Sequence, residues 1–268
     1  MIRGLASTGF VTRFPDFPAH EAIAEWCPRL RVDGFELSIT RAWDAARVEH
    51  DLAAAGLRCE TAHTDKRIGA ELLEDPHAAL AQLASDCRLA ASLGAALVVL
   101  HLWELPVGDR RLDENLALLP ACLDTAEEAG VTLTVETIPC SAGSPLENVK
   151  RAVEKDERCR VTLDTEFLAR HGQLAAALAD DELWESVAHV HVKDYGGSLR
   201  DAAGNRRYLM PGEGTIDFER VFATLRDRDY AGALTLEISC VTASGTVDVQ
   251  RFREAEAWLS SHPWRLPS

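Results

Sequence analysis

The chain is poor in positive charge. Among its 268 residues, 28 are Lys or Arg and 43 are Asp or Glu, which gives a formal net charge of −15. A surface of this sign repels the phosphate backbone of DNA or RNA. We therefore expect no nucleic-acid partner.

Long apolar segments are also missing. The longest stretch without a charged residue is Leu89–Trp103, and its 15 residues fall short of the roughly 20 that a bilayer-spanning helix needs. The first residues, Met1–Phe17, include Arg3, Arg13 and Asp16 and lack the apolar run of a secretory signal. We expect no membrane partner and a cytoplasmic location.

Several motifs that indicate particular chemistries are absent. The seven cysteines are odd in number and include no Cys-x-x-Cys, which argues against a disulfide framework or a zinc knuckle and predicts buried free thiols. The sequence also lacks a Walker loop, a Gly-x-Ser-x-Gly elbow, a His-Glu-x-x-His pair and a Gly-x-Gly-x-x-Gly fingerprint. Nucleotide-loop, serine-hydrolase and zincin chemistries are thereby disfavoured.

What is present is a regular alternation of short β-branched runs and longer segments of helical period. The predicted strands are Arg3–Thr8, Gly34–Ile39, Leu57–His63, Ala96–Leu102, Val131–Glu136, Arg160–Asp164, Val187–Lys193 and Ala233–Ile238. The predicted helices lie near 19–30, 44–55, 76–93, 112–129, 145–155, 172–184, 217–228 and 248–260. Eight βα units without a linker predict one α/β domain over residues 1–268, a single (β/α)₈ TIM barrel. A doubly wound open sheet is the alternative fold, but the sequence lacks the dinucleotide-binding fingerprint that is typical of it.

The predicted strands five to eight carry polar side chains where they end. Side chains alternate along a strand, so the aliphatic residues of Val131–Glu136 take one face while Thr132, Thr134 and Glu136 take the other. The same alternation brings four residues to one rim of the barrel: Glu136, Asp164, His191 and Glu237. Active sites of such barrels lie at this rim.

Three carboxylates gathered in a partly buried place repel one another, and a divalent cation removes the conflict. Oxygen donors with one imidazole favour Mn²⁺, while Mg²⁺, Co²⁺ or Zn²⁺ remain alternatives. The sequence thus predicts one divalent metal ion held by these four residues. The alternative is a set of isolated polar strand ends that form hydrogen bonds with loops.

Other residues near the same rim are candidate substrate contacts. They are His63, His101, Trp103, Lys193 and Arg207, with Glu104 as a further candidate wall of the pocket. Glu36 also faces inward and either supports the site or is a polar residue of the core. Arg200 and Arg206, like Arg207, lie in the long connection after strand seven and either bind a phosphate or acid or are solvated. In the same connection Gly212-Glu213-Gly214 is either a phosphate cradle or a turn before an Asp217 N-cap.

Several segments resemble the xylose-isomerase-like TIM barrels, a superfamily of sugar phosphate isomerases and epimerases, inosose dehydratase relatives and apurinic endonucleases. The matching segments are Val135-Glu136-Thr137, Leu163-Asp164-Thr165, His189-Val190-His191-Val192-Lys193-Asp194, Gly212–Phe218 and Tyr230–Glu237. The resemblance implies a metal bound by Glu136, Asp164, His191 and Glu237, with the two glutamates as acid/base pair. Phe167 and Gly197 depart from the epimerase pattern, which has histidine and arginine there.

We therefore expect a metal-dependent isomerase or epimerase of a small sugar or sugar phosphate. One glutamate would remove a proton from carbon, a metal-stabilised enediolate would form, and the other glutamate would return the proton. A dehydratase or lyase acting on a keto-polyol is the alternative. An apurinic endonuclease-like nuclease, which needs histidines that are missing here, and a non-catalytic sugar-binding barrel are further alternatives. A homo-oligomer is left open.

Overall fold

The computed structural model describes residues 2–12, 19–103 and 108–261. Eight parallel strands pair in chain order, and β1 pairs with β8 to close the barrel. The strands are β1 (Arg3–Ser7), β2 (Gly34–Ser38), β3 (Cys59–His63), β4 (Leu97–Leu100), β5 (Thr132–Glu136), β6 (Arg160–Asp164), β7 (Val187–Val192) and β8 (Ala233–Leu236). The predicted (β/α)₈ barrel is confirmed, whereas the extent of the domain over 1–268 stays a prediction.

Helices follow the strands around the outside. They are α1 (His20–Trp26), α2 (Ala45–Ala54), α3 (Ile68–Glu71), α4 (Pro76–Ser92), α5 (Leu112–Glu128), α6 (Pro145–Lys155), α7 (Thr165–Arg170), α8 (Leu174–Ala179), α9 (Asp181–Trp184), α10 (Phe218–Asp227) and α11 (Val249–Ser261). The region predicted as one helix near 172–184 is helical but is divided at Asp180 into α8 and α9, and the short helix α7 precedes it. Gly172 has a φ of +67°, which ends the α7 turn, and the Asp180 side chain caps α9.

Three helices begin at side-chain caps close to the starts predicted near 76, 145 and 217. Asp75, Ser144 and Asp217 each accept a hydrogen bond from the backbone N–H three residues later, at 3.0, 3.3 and 3.0 Å. These caps satisfy amide groups that have no partner within their helices. Proline follows two of them, at Pro76 and Pro145, where its missing N–H costs nothing.

The barrel interior is polar in the half that leads to the site. Thr134 of β5 and Thr162 of β6 share a hydrogen bond of 2.6 Å, and His189 of β7 contacts the Thr235 hydroxyl at 2.7 Å. The intervening aliphatic residues, such as Val135, are buried on the other face. The predicted alternation of these strands therefore holds, and the polar face leads up to the strand ends.

Asp194, directly after β7 and Lys193, organises the long connection to α10. Its carboxylate accepts hydrogen bonds from the backbone N–H groups of Tyr195, Gly212, Gly214 and Ile216 at 2.7 to 3.0 Å. A Cβ on Gly214 would lie 2.4 Å from the Asp194 carboxylate, so only glycine fits there. The Gly212-Glu213-Gly214 segment is thus a turn whose amides are already occupied, and it offers no phosphate cradle.

The cysteines are free thiols, as predicted, and all but the half-buried Cys140 are buried. In the described ranges we find no helix whose length and apolar character suit a membrane crossing.

We expect Asp194→Ala to lower the free energy of unfolding by about 3 kcal/mol, because several amides lose their shared acceptor. Asp217→Ala, which loses a single cap bond, should cost only about 1 kcal/mol. Urea denaturation of the two variants and the wild type measures both values. Equal losses would show that Asp194 is no more than an ordinary cap.

Candidate metal centre

The four residues predicted from the strand ends meet at the carboxyl end of the barrel. They are Glu136, Asp164, His191 and Glu237, and one ligand atom of each lies within 4.8 Å of the others. All four are buried, with residue exposures of 0 to 8%. Parallel strands that close into a barrel bring the ends of β5 to β8 to one side, so this meeting follows from the strand order.

His191 presents one ring nitrogen to this group of four. Its Nδ1 lies 2.7 Å from Glu136 Oε1, 3.4 Å from Glu237 Oε2 and 3.9 Å from Asp164 Oδ2. Its Nε2 lies 3.0 Å from Glu36 Oε2 on the opposite side. Since a carboxylate can only accept, a proton on Nε2 leaves Nδ1 free to act as a ligand.

Glu36 of β2 is the residue whose role the sequence left open, and the structure places it behind His191. It is fully buried and also accepts a hydrogen bond of 3.1 Å from the Thr61 hydroxyl. Burial disfavours its charge, but His191 and His189 outweigh that cost and lower the pKa of Glu36. In turn, burial works against the charged imidazole of His191, yet Glu36 and Glu136 raise its pKa well above the ordinary value.

Glu136 is held by two further histidines. The Nε2 atoms of His101 and His63 lie 2.6 and 3.2 Å from Glu136 Oε2. His63 donates from Nδ1 to the Thr64 carbonyl at 2.8 Å, which orients its ring beside Glu136. Burial raises the pKa of Glu136, but His191 and His101 prevail and hold it well below its usual value.

Lys193 supplies a positive charge to the same group. Its Nζ lies 2.5 Å from both Asp164 Oδ2 and Glu237 Oε2, and 4.4 Å from the centre of the Phe167 ring. Burial raises the pKa of Asp164 to about 7 against the opposing influence of Lys193. For Glu237, burial is outweighed by Lys193, Lys66 and His191, and its pKa is lowered. The lysine predicted to contact substrate therefore lies against two of the predicted ligands.

The residues present fit a divalent ion. Asp164 Oδ2 is buried and has no aligned hydrogen bond, although Lys193 Nζ lies close to it. Three carboxylates and one imidazole form a donor set rich in hard oxygen atoms, which suits Mn²⁺ or Mg²⁺. Two other groupings, Glu36 with His189 and His191, and His63 with His101 and Glu136, share members with this set but contain only one carboxylate each.

Lys66, in the loop after β3, is a residue that sequence reasoning missed. Its Nζ lies 3.7 Å from Glu237 Oε1, and its side chain is 39% exposed. It lines a cavity at the mouth of the site together with Glu237, His63, Trp43 and Tyr208. No strand alternation points to Lys66, because it lies beyond the end of its strand.

The remaining candidates lie apart from the four carboxylate and imidazole groups. Trp103 is fully buried, and its indole N–H donates to the Pro139 carbonyl at 3.3 Å, which ties the loops after β4 and β5 together. Arg207 donates to the Gly196 carbonyl at 3.3 Å. Their substrate contacts stay predictions, and Glu104 lies outside the described residues.

Comparisons with known proteins agree with this architecture. Residues 25–262 match the family described as xylose isomerase-like TIM barrel. Among solved structures, 3-keto-D-glucoside 4-epimerase (YcjR) from E. coli is similar with a TM-score of 0.71 and 21% identity over 98% of this chain and 100% of the other. A D-tagatose 3-epimerase-like protein gives 0.66 and 18%, covering 96% and 97%. The probable 3-DHS dehydratase AsbF from Bacillus anthracis gives 0.68 and 15%, also covering 96% and 97%. No curated protein sequence matches the chain.

We expect Glu36→Gln to lower the pKa of His191 towards its ordinary range, because one of the two carboxylates that stabilise its charged ring is neutralised. NMR titration of the metal-free protein with ¹⁵N-labelled histidine measures this pKa. Glu60→Gln is the matched control, since Glu60 is a buried glutamate of β3 that pairs with Arg3 and Arg58 instead. An unchanged His191 pKa in Glu36→Gln would contradict the arrangement.

Proposed function

We propose that this chain, which belongs to the xylose isomerase-like TIM barrel family, is a metal-dependent isomerase or epimerase of a small sugar or related hydroxy-carbonyl compound. The observation that carries the proposal is the convergence of Glu136, Asp164, His191 and Glu237 on one buried point. The similar structures named as sugar epimerases support the same class of reaction.

These four residues would hold one divalent ion, with Mn²⁺ favoured and Mg²⁺, Co²⁺ or Zn²⁺ as alternatives. When bound, such an ion acts as a Lewis acid that withdraws electron density from a carbonyl oxygen and makes the neighbouring C–H more acidic. Glu36 would orient His191 as a ligand through its hydrogen bond to Nε2.

Glu136 and Glu237 are the proposed acid/base pair. Glu237 lines the cavity at the mouth of the site, whereas Glu136 is 1% exposed and is held by His101. One of them removes the proton from the carbon beside the carbonyl. The other, after taking up a proton from solvent, gives it to the opposite face, which yields an epimer, or to the adjacent carbon, which yields an isomer, and the proton held by the first glutamate passes to solvent.

The residues around this pair would bind and orient the substrate oxygens. His63 lines the cavity at Glu237, and His101 lies behind Glu136. Lys193 already bridges Asp164 and Glu237, so its ammonium is placed to donate to a substrate oxygen next to the reacting carbon. Trp103 and Arg207 remain proposed substrate contacts. Each also stabilises a loop: Trp103 bonds to the Pro139 carbonyl and Arg207 to the Gly196 carbonyl.

A dehydratase is the second candidate. Phe167 departs from the epimerase pattern, which has a histidine at this position, and its apolar ring lies 4.4 Å from the Lys193 ammonium. Burial works against the charge of Lys193, but Asp164 and Glu237 raise its pKa well above the ordinary value, so its ammonium would orient a departing hydroxyl by a hydrogen bond. The glutamate that has taken the proton from carbon would give it to this hydroxyl, so that water is lost. A similar fold in a protein named as a probable 3-DHS dehydratase is consistent with this candidate.

We further propose that the protein acts in the cytoplasm on small molecules, without nucleic-acid or membrane partners. The formal net charge of −15 supports the first exclusion. A homo-oligomer is compatible with the barrel but is not required by the site, since all four proposed ligands come from one chain.

We expect the protein, purified without chelator and reloaded with Mn²⁺, to hold about one ion per chain. Asp164→Ala should lose most of this metal, because it removes a ligand, while Glu60→Gln at the other end of the barrel should keep it. Inductively coupled plasma mass spectrometry measures the metal content. Absence of bound metal under Mn²⁺, Co²⁺ and Zn²⁺ loading would refute the metal site, and two or three zinc ions would favour the nuclease alternative.

We expect the Mn²⁺-loaded protein to catalyse exchange of carbon-bound hydrogen for solvent deuterium in one or more ketoses. Glu237→Gln should slow this exchange by about 10²–10⁴-fold, because it removes a proton acceptor. NMR follows the exchange, and mass spectrometry of the product reveals loss of water if the dehydratase candidate is correct. Full turnover by a folded, metal-loaded Glu237→Gln protein would refute the acid/base assignment.

A further inference from the structure

A second cavity lies beside the proposed metal centre, under the connection that follows β7. Its volume is about 630 Å³, and Phe167, Arg170, Arg200 and Arg206 are among its lining residues. Its lining contains three arginines and no carboxylate. In a chain with a formal net charge of −15, this concentration of positive charge is unusual.

Two of these arginines are held opposite each other by the backbone. Residues 199–207 form a hairpin in which Arg200 and Arg206 make an antiparallel bridge, with Arg207 N–H donating to the Leu199 carbonyl at 2.9 Å. Like charges directly opposite in such a pair are destabilising unless something of opposite charge lies nearby. The bridge therefore fixes these two residues opposite each other in the hairpin, and both line the cavity.

Only one of the three arginines has an acidic partner among the described residues. Arg206 forms an ion pair with Glu166, which is 2% exposed, and its guanidinium lies 4.8 Å from the Tyr208 ring centre. Arg200 donates to the Gly204 carbonyl at 2.6 Å but to no carboxylate. Arg170, the last residue of α7, has no acidic partner in the described ranges. Arg170 and Arg200, both exposed residues, are therefore the two arginines of the cavity that have no acidic partner within the part of the chain that the structure describes.

The cavity is separated from the carboxylates of the proposed metal centre by one aromatic ring. Phe167 lines it, and the same ring lies 4.4 Å from Lys193 Nζ, which contacts Asp164 and Glu237. Tyr208, beside Arg206, lines the other cavity, where Glu237 is found. The arginine-lined cavity therefore adjoins the side chains that surround the proposed metal centre.

We propose that this cavity binds an anionic group of the substrate, a phosphate or a carboxylate, and that Arg170 and Arg200 are the residues that recognise it. The proposal rests on the proposed function, because it assigns the substrate class of that site. Guanidinium groups suit both anions, since each presents paired N–H donors to two oxygens. The other candidate anion site, the Gly212-Glu213-Gly214 turn, is excluded because Asp194 occupies its amides.

The test compares three probes by isothermal titration calorimetry on the Mn²⁺-loaded protein: D-fructose, D-fructose 6-phosphate and D-galacturonate. At least one anionic probe should bind about tenfold or more tightly than D-fructose, since charge-assisted hydrogen bonds are added. The preferred probe identifies phosphate or carboxylate as the recognised group. Equal affinity for all three probes would overturn the proposal.

The double variant Arg170→Ala/Arg200→Ala should lose this preference and leave the affinity for D-fructose unchanged. Arg29→Ala/Arg47→Ala is the matched control, because it removes two exposed arginines next to α1 and in α2 and should keep the preference. Loss of the preference in both double variants would indicate a general charge effect and overturn the proposed site.

A separate titration distinguishes failure of the site from failure of the proposed reaction. The anionic probe that binds best is titrated into chelator-treated protein, where turnover is not required. Binding that depends on Arg170 and Arg200 supports the anion site even if no deuterium exchange is found with any ketose. Exchange that proceeds equally well with neutral and anionic sugars overturns the site while leaving the proposed reaction intact.

Discussion

The mutual repulsion of buried carboxylates is the constraint on which the carboxyl end of this barrel depends. Glu36, Glu136, Asp164 and Glu237 are all at most 8% exposed, so water does little to screen their charges. Three cationic or proton-donating groups stabilise these negative charges: the His191 imidazole, the Lys193 ammonium and the His101 N–H. A bound divalent ion would neutralise these charges more completely. The balance between burial and neighbouring charges differs from site to site: burial prevails at Asp164 and raises its pKa, whereas His191 and His101 prevail at Glu136 and lower its pKa.

The barrel makes this concentration of charge possible by supporting it from several directions. The closed sheet fixes the strand ends relative to one another, and the hydroxyl and imidazole pairs below them satisfy polar groups in the interior. Beyond the strands, Asp194 gathers the amides of the connection to α10. The loop that carries Lys66 lines one cavity at the proposed site, and the hairpin of residues 199–207 lines the other.

Much of the site could be predicted from alternation along single strands. The placement of Glu136 follows from Thr132-Leu133-Thr134-Val135-Glu136, because every second side chain must face the barrel interior. Glu237 lies one residue after β8 and still follows from the alternation, whereas Lys66 lies three residues after β3 and does not. Its approach to Glu237 depends on how the loop folds across the barrel mouth. The same limit applies to the three short helices α7, α8 and α9, where capping residues and Gly172 override a continuous helical period.

By itself, the sequence determined the succession of strands and helices along the chain, the polar face of β5 to β8 and the four residue types at the ends of these strands, because these features depend on local periodicity. Only the tertiary structure decided which atoms face each other. It set Nε2 of His191 against Glu36, Lys193 between Asp164 and Glu237, and Arg200 opposite Arg206. Such contacts join residues far apart in the chain, and their distances depend on barrel closure and loop packing, which no local pattern encodes.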